Sequence, residues 1–266
     1  MKKIYGSGFH PFHIVSFSPW PILGSLATLS VALNFLNFVY LTGKFSMVLL
    51  SVLSLIFVLF QWWRDVVRES TYQGWHTEKV CRGLYLGMIM FISSEVMFFF
   101  SFFFGYFFTS LNPDIQIGMM WPPKGVQPLD YMGVPFLNTI LLLSSGVSIT
   151  WAHHCINESL KSSSVKSLII TIILGILFTF FQYLEYFDCS FTIADSCYGS
   201  FFFIMTGFHG IHVIVGAIFI MVSTTRLWFN HFSSKHMIGF EMAAWYWHFV
   251  DVVWLMLFIT VYWWGS

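Results

Sequence analysis

Long apolar stretches, each closed by a short polar interruption, run almost the whole length of this chain. Seven of them are long enough to consider as spans: roughly residues 22–41, 47–63, 83–108, 134–152, 165–186, 198–225 and 243–264. A transmembrane helix needs about 20 mostly apolar residues, so each stretch predicts one crossing of a bilayer. The first two are joined by the tight turn Thr42-Gly43-Lys44. Aromatic clusters sit at the span edges, among them Trp62-Trp63, Trp245-Tyr246-Trp247 and Tyr262-Trp263-Trp264. Trp and Tyr favour the headgroup level, so these clusters predict where helices enter and leave the hydrocarbon. The longest polar segments are 64–82 and 111–133, both expected as connecting loops. The second contains Trp121-Pro122-Pro123 and Pro128, which favour an extended, stiff backbone. The break after the second span predicts a two-helix pair over 22–63 and a five-helix bundle over 83–264, within one membrane domain covering 1–266.

Composition agrees with a bilayer as the solvent. Only 9% of the residues are charged and 57% are hydrophobic, against about 25% charged in soluble domains. Lys+Arg and Asp+Glu are both 12, which leaves no net charge to suggest nucleic acid as a partner. The basic residues instead report direction. Seven crossings put Lys2, Lys3, Arg64, Arg68, Lys79, Arg82, Lys161, Lys166, Arg226 and Lys235 on one side, and Lys44 and Lys124 on the other. That division, 10 against 2, accounts for all 12. By the positive-inside rule the N-terminus is expected on the cytoplasmic or matrix side and the C-terminus opposite. The opening residues form neither an apolar signal core nor an Arg-rich presequence, so the chain is expected to insert as it stands. The four cysteines show no metal-type spacing; only Cys189 and Cys197 share a loop in which a bridge is conceivable.

A few ionisable residues lie inside the spans and invite chemistry. Glu95 lies 12 residues past Gly83, about 18 Å along a helix and close to mid-membrane. An isolated carboxylate at that depth costs about 3 kcal/mol or more, so Glu95 must be neutral, paired or facing a polar cavity. It is either a proton carrier or lipid-cleft residue, or a structural acid hydrogen-bonded to a neighbouring helix. His209 and His212 are three apart, as are His248 and Asp251. Such pairs can ligate a metal or haem, but the simpler expectation is interhelical hydrogen bonding, for instance between His212 and Glu95. Thr206 and Gly210 form a small-xxx-small pair, and Gly207 and Gly216 thin the same span, which predicts close helix packing. His153 and His154 fall at a span end, where capping is expected.

Several stretches carry a more specific signal. Trp62-Trp63-Arg64-Asp65-Val66-Val67-Arg68-Glu69-Ser70-Thr71, Ser94-Glu95-Val96-Met97-Phe98-Phe99, Trp151-Ala152-His153-His154, Thr206-Gly207-Phe208-His209-Gly210-Ile211-His212-Val213 and Trp245-Tyr246-Trp247-His248-Phe249-Val250-Asp251 resemble the signature stretches of cytochrome c oxidase subunit III. Ser18-Pro19-Trp20-Pro21 and the final Tyr262-Trp263-Trp264-Gly265-Ser266 fit the same register. One departure stands out. The family commonly has Gly-His-His where this chain has Gly74-Trp75-His76.

The resemblance implies an all-α membrane subunit with no catalytic residue, metal or redox centre of its own, the haem and copper residing in partner subunits. The parent complex reduces oxygen with electrons from cytochrome c and pumps protons. The two-helix pair and the five-helix bundle would form a V whose cleft holds phospholipids, with subunit I as the main contact. Trp63, Arg68, Glu69, Ser70, Thr71, His76, Glu95 and Arg226 match positions expected to meet headgroups or line that cleft. Glu95, His209, His212, His248 and Asp251 would be buried polar residues, and His10 and His13 a proton-collecting surface. The implied location is the mitochondrial inner membrane, with the N-terminus in the matrix and the C-terminus in the intermembrane space; a bacterial plasma membrane is the alternative. A proton-coupled transporter and a membrane haem protein are the competing classes. The lack of inverted repeats argues against the first, and the short His spacings against the second.

Overall fold

A computed structural model describes residues 10–234 and 236–266. Seven long helices account for most of them: α1 Trp20–Val39, α2 Phe45–Thr71, α3 Glu78–Leu111, α4 Val134–Asn157, α5 Lys161–Asp188, α6 Ser196–Trp228 and α7 Ile238–Leu257. All seven are long and apolar enough to cross a membrane, α7 together with the π-helical turn Phe258–Trp263 that continues it. No strand occurs among the described residues. At about 1.5 Å per residue, the 34 residues of α3 reach about 51 Å, well beyond a hydrocarbon core of about 30 Å.

That extra length corrects the expected loop over 64–82. α2 continues through Thr71 and α3 begins at Glu78, leaving only 72–77 as the connection. Hydropathy marks where the hydrocarbon ends, not where the helix ends. Arg64, Arg68 and Glu69 are good helix formers, so the backbone stays helical into the headgroup layer.

Two compact units divide the chain at Leu84 and Tyr85, inside α3. The first contains α1 and α2, and it has almost no interior of its own. Only Gly24 and Ala27 of α1 and Ser51 and Val58 of α2 are buried. Gly24 lets the helices approach, since a Cβ there would touch the Trp62 ring at 3.5 Å. At one end Trp20 Nε1 donates to Asp65 Oδ2 at 2.7 Å, fixing α1 against α2. At the other, the amides of Thr42 and Gly43 both donate to the Asn37 carbonyl, which closes α1 and turns the chain into α2.

The second unit has a true core, and Trp247 is at its centre with no exposed surface. Its indole N–H donates to Ser145 Oγ of α4 at 2.8 Å. A Cβ on Gly175 of α5 would come within 2.7 Å of the indole, and one on Gly216 of α6 within 2.9 Å. One side chain from α7 thus touches three other helices, two of them through glycines. Trp254 repeats the pattern one level along, donating to Thr139 Oγ1 at 3.0 Å. Ser148 and Thr171 hydroxyls join α4 to α5 at 2.7 Å, and Tyr186 and Thr206 join α5 to α6 at 2.6 Å. In hydrocarbon, packing of small residues and such hydrogen bonds replace the hydrophobic effect as the glue between helices.

These contacts correct two sequence expectations. Tyr246 and Trp247 are buried, and so is Tyr262; only Trp245, Trp263 and Trp264 of those two clusters are exposed enough to serve as interfacial anchors. A helical face repeats every three to four residues, which puts 243, 247, 250 and 254 inward whatever their aromatic character. Gly216 has the close-packing role expected of it, but Gly210 faces open space with nothing within 4 Å.

Candidate functional site

The first unit gathers most of the residues anticipated at the headgroup layer. Trp63, Arg68, Glu69, Ser70 and Thr71 all lie on the last turns of α2, with Trp63 and Arg68 exposed. Helical geometry supplies the spacing, so a cation, a carboxylate and two hydroxyls emerge within one turn. Ser70 Oγ donates back to the Val67 carbonyl at 3.0 Å. His76 follows in the connection.

The N-terminal segment lies over this end of α2. His13 Nε2 is 3.3 Å from Glu69 Oε2, and the imidazole stacks on Trp75 with ring centroids 5.8 Å apart and planes 10° apart. His76 meets the same ring edge-on at 5.9 Å. Thr77 Oγ1 donates to the Pro11 carbonyl, and Lys79 Nζ lies 4.8 Å from the Phe12 ring. The unusual Trp75 therefore has a structural use here: it is the platform for His13. His10 is exposed, whereas His13 is half-buried.

At mid-membrane in the second unit, Glu95 is 17 residues from the start of α3 and 16 from its end. Its Oε2 is 2.9 Å from His212 Nε2. The other imidazole nitrogen, Nδ1, lies 2.7 Å from the Phe208 carbonyl. A carbonyl only accepts, so Nδ1 carries a hydrogen. The contact with Glu95 then holds one shared proton, either on the carboxyl group or on Nε2. Both arrangements are electrically neutral as a pair, which lets two ionisable groups sit at this depth. Rings of Phe99 and Tyr246 flank the imidazole, with centroids at 5.1 and 6.2 Å.

His209 and His212 do not act together. His209 is fully enclosed, its Nε2 donating to the Val250 carbonyl at 3.2 Å while Phe178 and Trp254 pack on the ring. His248 Nδ1 and Asp251 Oδ2 are 3.9 Å apart, too long for a hydrogen bond. Among the described residues no three His, Cys, Asp or Glu side chains gather as metal ligands. Arg226, at the end of α6, lies against Phe232 at 4.4 Å, and a Cβ on Gly239 would meet its Nη1 at 2.5 Å. The His231 imidazole beside it is held below its ordinary value by partial burial and by the guanidinium charge.

Besides Asp251, Glu185 is a buried acid, and it is not among the residues expected from the sequence. Glu185 of α5 accepts from the Tyr262 hydroxyl at 2.5 Å and from Gln182 Nε2 at 3.4 Å, with Oε2 left without a partner. The usable signal was its spacing from Gln182, three residues apart in an otherwise apolar span; its place near the span end concealed it. A third cluster joins Tyr85, which donates to Glu241, and His153, whose Nε2 is 3.9 Å from the same carboxylate. Just beyond α5, Cys189 and Cys197 are both free thiols. Burial, then the neighbouring Glu185 and Asp188 carboxyl groups, push the Cys189 thiol up to about 12. The thiolate, the reactive form, is therefore strongly disfavoured at pH 8. Iodoacetamide at pH 8 is expected to leave Cys189 unmodified in the folded protein and to alkylate it in denaturant; quick labelling without denaturant would contradict its burial.

The sequence profile of cytochrome c oxidase subunit III matches residues 10–266. The chain belongs to the cytochrome c oxidase subunit III family. The protein named cytochrome c oxidase subunit 3 in Marchantia polymorpha is 52% identical over 258 residues, 97% of each chain. Its namesakes in Branchiostoma lanceolatum and Locusta migratoria are each 50% identical over 257 residues, covering 97% of this chain and 98% and 97% of theirs. As a subunit III, the protein is part of a multi-subunit oxidoreductase complex. Its polar groups are to be read as parts of an assembly.

Proposed function

We propose that this subunit is a non-catalytic scaffold of a mitochondrial-type cytochrome c oxidase. It stabilises the haem-bearing subunit I, retains phospholipid and supports proton uptake, while haem and copper stay in partner subunits. The observation that carries this reading is the first unit. Two helices with four buried residues between them cannot supply their own apolar surroundings, and α2 ends in a band containing Arg68, Ser70 and Thr71. Acyl chains along the helices and a phosphate at that band satisfy both needs. Trp63, Glu69 and His76 border the band, Arg226 offers a cationic position in the second unit, and Glu95 would meet lipid at mid-membrane. His10 and His13 would collect protons at the same surface. The 10-to-2 basic division supports a matrix position for this surface and an intermembrane-space position for the C-terminus, across the mitochondrial inner membrane.

The test is Arg68→Gln in the assembled oxidase. A charge-assisted hydrogen bond contributes about 1.5–3 kcal/mol, so phospholipid retained through delipidation should fall about tenfold. Sustained turnover should decay sooner, with the haem absorption bands unchanged. Unaltered lipid retention and turnover would overturn the lipid role. Purification of the wild-type chain free of the haem-bearing subunit would overturn the scaffold reading itself.

A further inference from the structure

Asp251 and His248 lie almost midway along the last span, 13 and 10 residues from Ile238, where hydrocarbon offers no hydrogen-bonding group. Neither satisfies the other, because their closest approach is 3.9 Å. Asp251 is 93% buried, and its Oδ1 is sealed without a partner. Its Oδ2 lies over Gly146 of α4, where a Cβ would come within 2.8 Å. His248 is half-exposed. Both residues line an open groove of about 650 Å³ between α4 and α7, bordered by Gly146, Val147, Thr150 and Val252. Elsewhere in this unit, buried or half-buried carboxyl groups have partners: Glu95 meets His212, Glu185 meets Tyr262 and Gln182, and Glu241 meets Tyr85. Asp251 is the exception among them.

We propose that the α4–α7 groove is a docking seat for a transmembrane helix of another oxidase subunit, which brings a hydrogen-bond donor to Asp251 Oδ2, the carboxylate oxygen not sealed inside this chain, at mid-membrane. Two features select that occupant. An acyl chain fills a groove but carries no donor at this depth, so lipid leaves the carboxyl group unsatisfied. Family membership supplies neighbouring subunits. The inference rests on the scaffold reading, and it names the face through which that role would be exercised.

The experiment uses the intact oxidase. A photoreactive benzoylphenylalanine replaces Val147, an exposed groove residue on α4. Irradiation is expected to join this chain to a different subunit. In parallel, Asp251→Leu is expected to lower retention of this chain in the complex under detergent challenge about tenfold, because an interhelical hydrogen bond in a membrane contributes up to about 1–2 kcal/mol. Asp251→Asn, which still hydrogen-bonds, should be retained like wild type. Adducts with lipid alone or with a second copy of this chain overturn the proposal, as does an Asp251→Leu chain held as firmly as wild type. If the Leu variant does not fold, the Val147 adduct decides. A wild-type chain that never accompanies the haem-bearing subunit would sink the scaffold reading instead.

Discussion

Trp247→Ala is expected to destabilise the five-helix unit by about 3–5 kcal/mol, the range for removing a fully enclosed large aromatic side chain. The size follows from what the indole touches. It donates to Ser145, fills the notch left by Gly175 and covers Gly216, so its loss loosens α7 from α4, α5 and α6 together. Trp247→Phe keeps part of the ring but no N–H, leaving Ser145 without its donor; about 1–2 kcal/mol is expected there. Trp263→Ala, at an exposed position of the same segment, should stay within about 0.5 kcal/mol. Gly216→Leu should be damaging from the opposite direction, since even its Cβ overlaps the indole. Reversible unfolding of the detergent-solubilised subunit, followed by tryptophan fluorescence or protease resistance, ranks the four. Equal stabilities for Trp247→Ala and Trp263→Ala would refute the central place given to this side chain.

Trp247 also marks the limit of what the amino-acid pattern discloses. Seven spans are legible because crossing hydrocarbon demands long apolar helices, and their stretches stand apart in composition. Depth is legible too: Glu95 is near mid-membrane by residue count alone. Facing is not. In a soluble helix polarity separates inside from outside, but here lipid and core are equally apolar, so Trp245 and Trp247 read alike in sequence and point to opposite environments. The same loss of contrast hid the pairing of Glu185 with Tyr262 and made Gly210 indistinguishable from Gly216. Helix ends were misjudged for a related reason: hydropathy falls at Arg64, whereas α2 runs on to Thr71. The headgroup band was recognisable because Arg68, Glu69, Ser70 and Thr71 are contiguous, so one helix turn presents them together without tertiary information. The stacking of His13 on Trp75 spans 62 residues of sequence and needed coordinates.

Replacing His212 alone should cost more than replacing it together with Glu95. In His212→Leu the carboxyl group remains at mid-membrane without its partner, and a cost of about 1–3 kcal/mol is expected from leaving it unsatisfied. Glu95→Leu strands the imidazole Nε2, although Nδ1 keeps the Phe208 carbonyl, so its cost should be smaller. In Glu95→Leu/His212→Leu both polar groups are gone from a region that has no water to offer them. The double variant should therefore be more stable than His212→Leu, a strongly sub-additive cycle. Glu95→Gln is the conservative partner: its amide N–H can donate to Nε2, and a loss under about 1 kcal/mol is expected. It also removes the only proton that this contact can share with a carboxyl group, so infrared difference spectra of wild type and Glu95→Gln tell where that proton sits. A lost carboxylic-acid carbonyl band places it on Glu95, and a lost carboxylate band places it on His212. Additive single costs would mean that the 2.9 Å contact does not couple the two residues, and their neutrality would then have to come from Glu95 being protonated independently of His212.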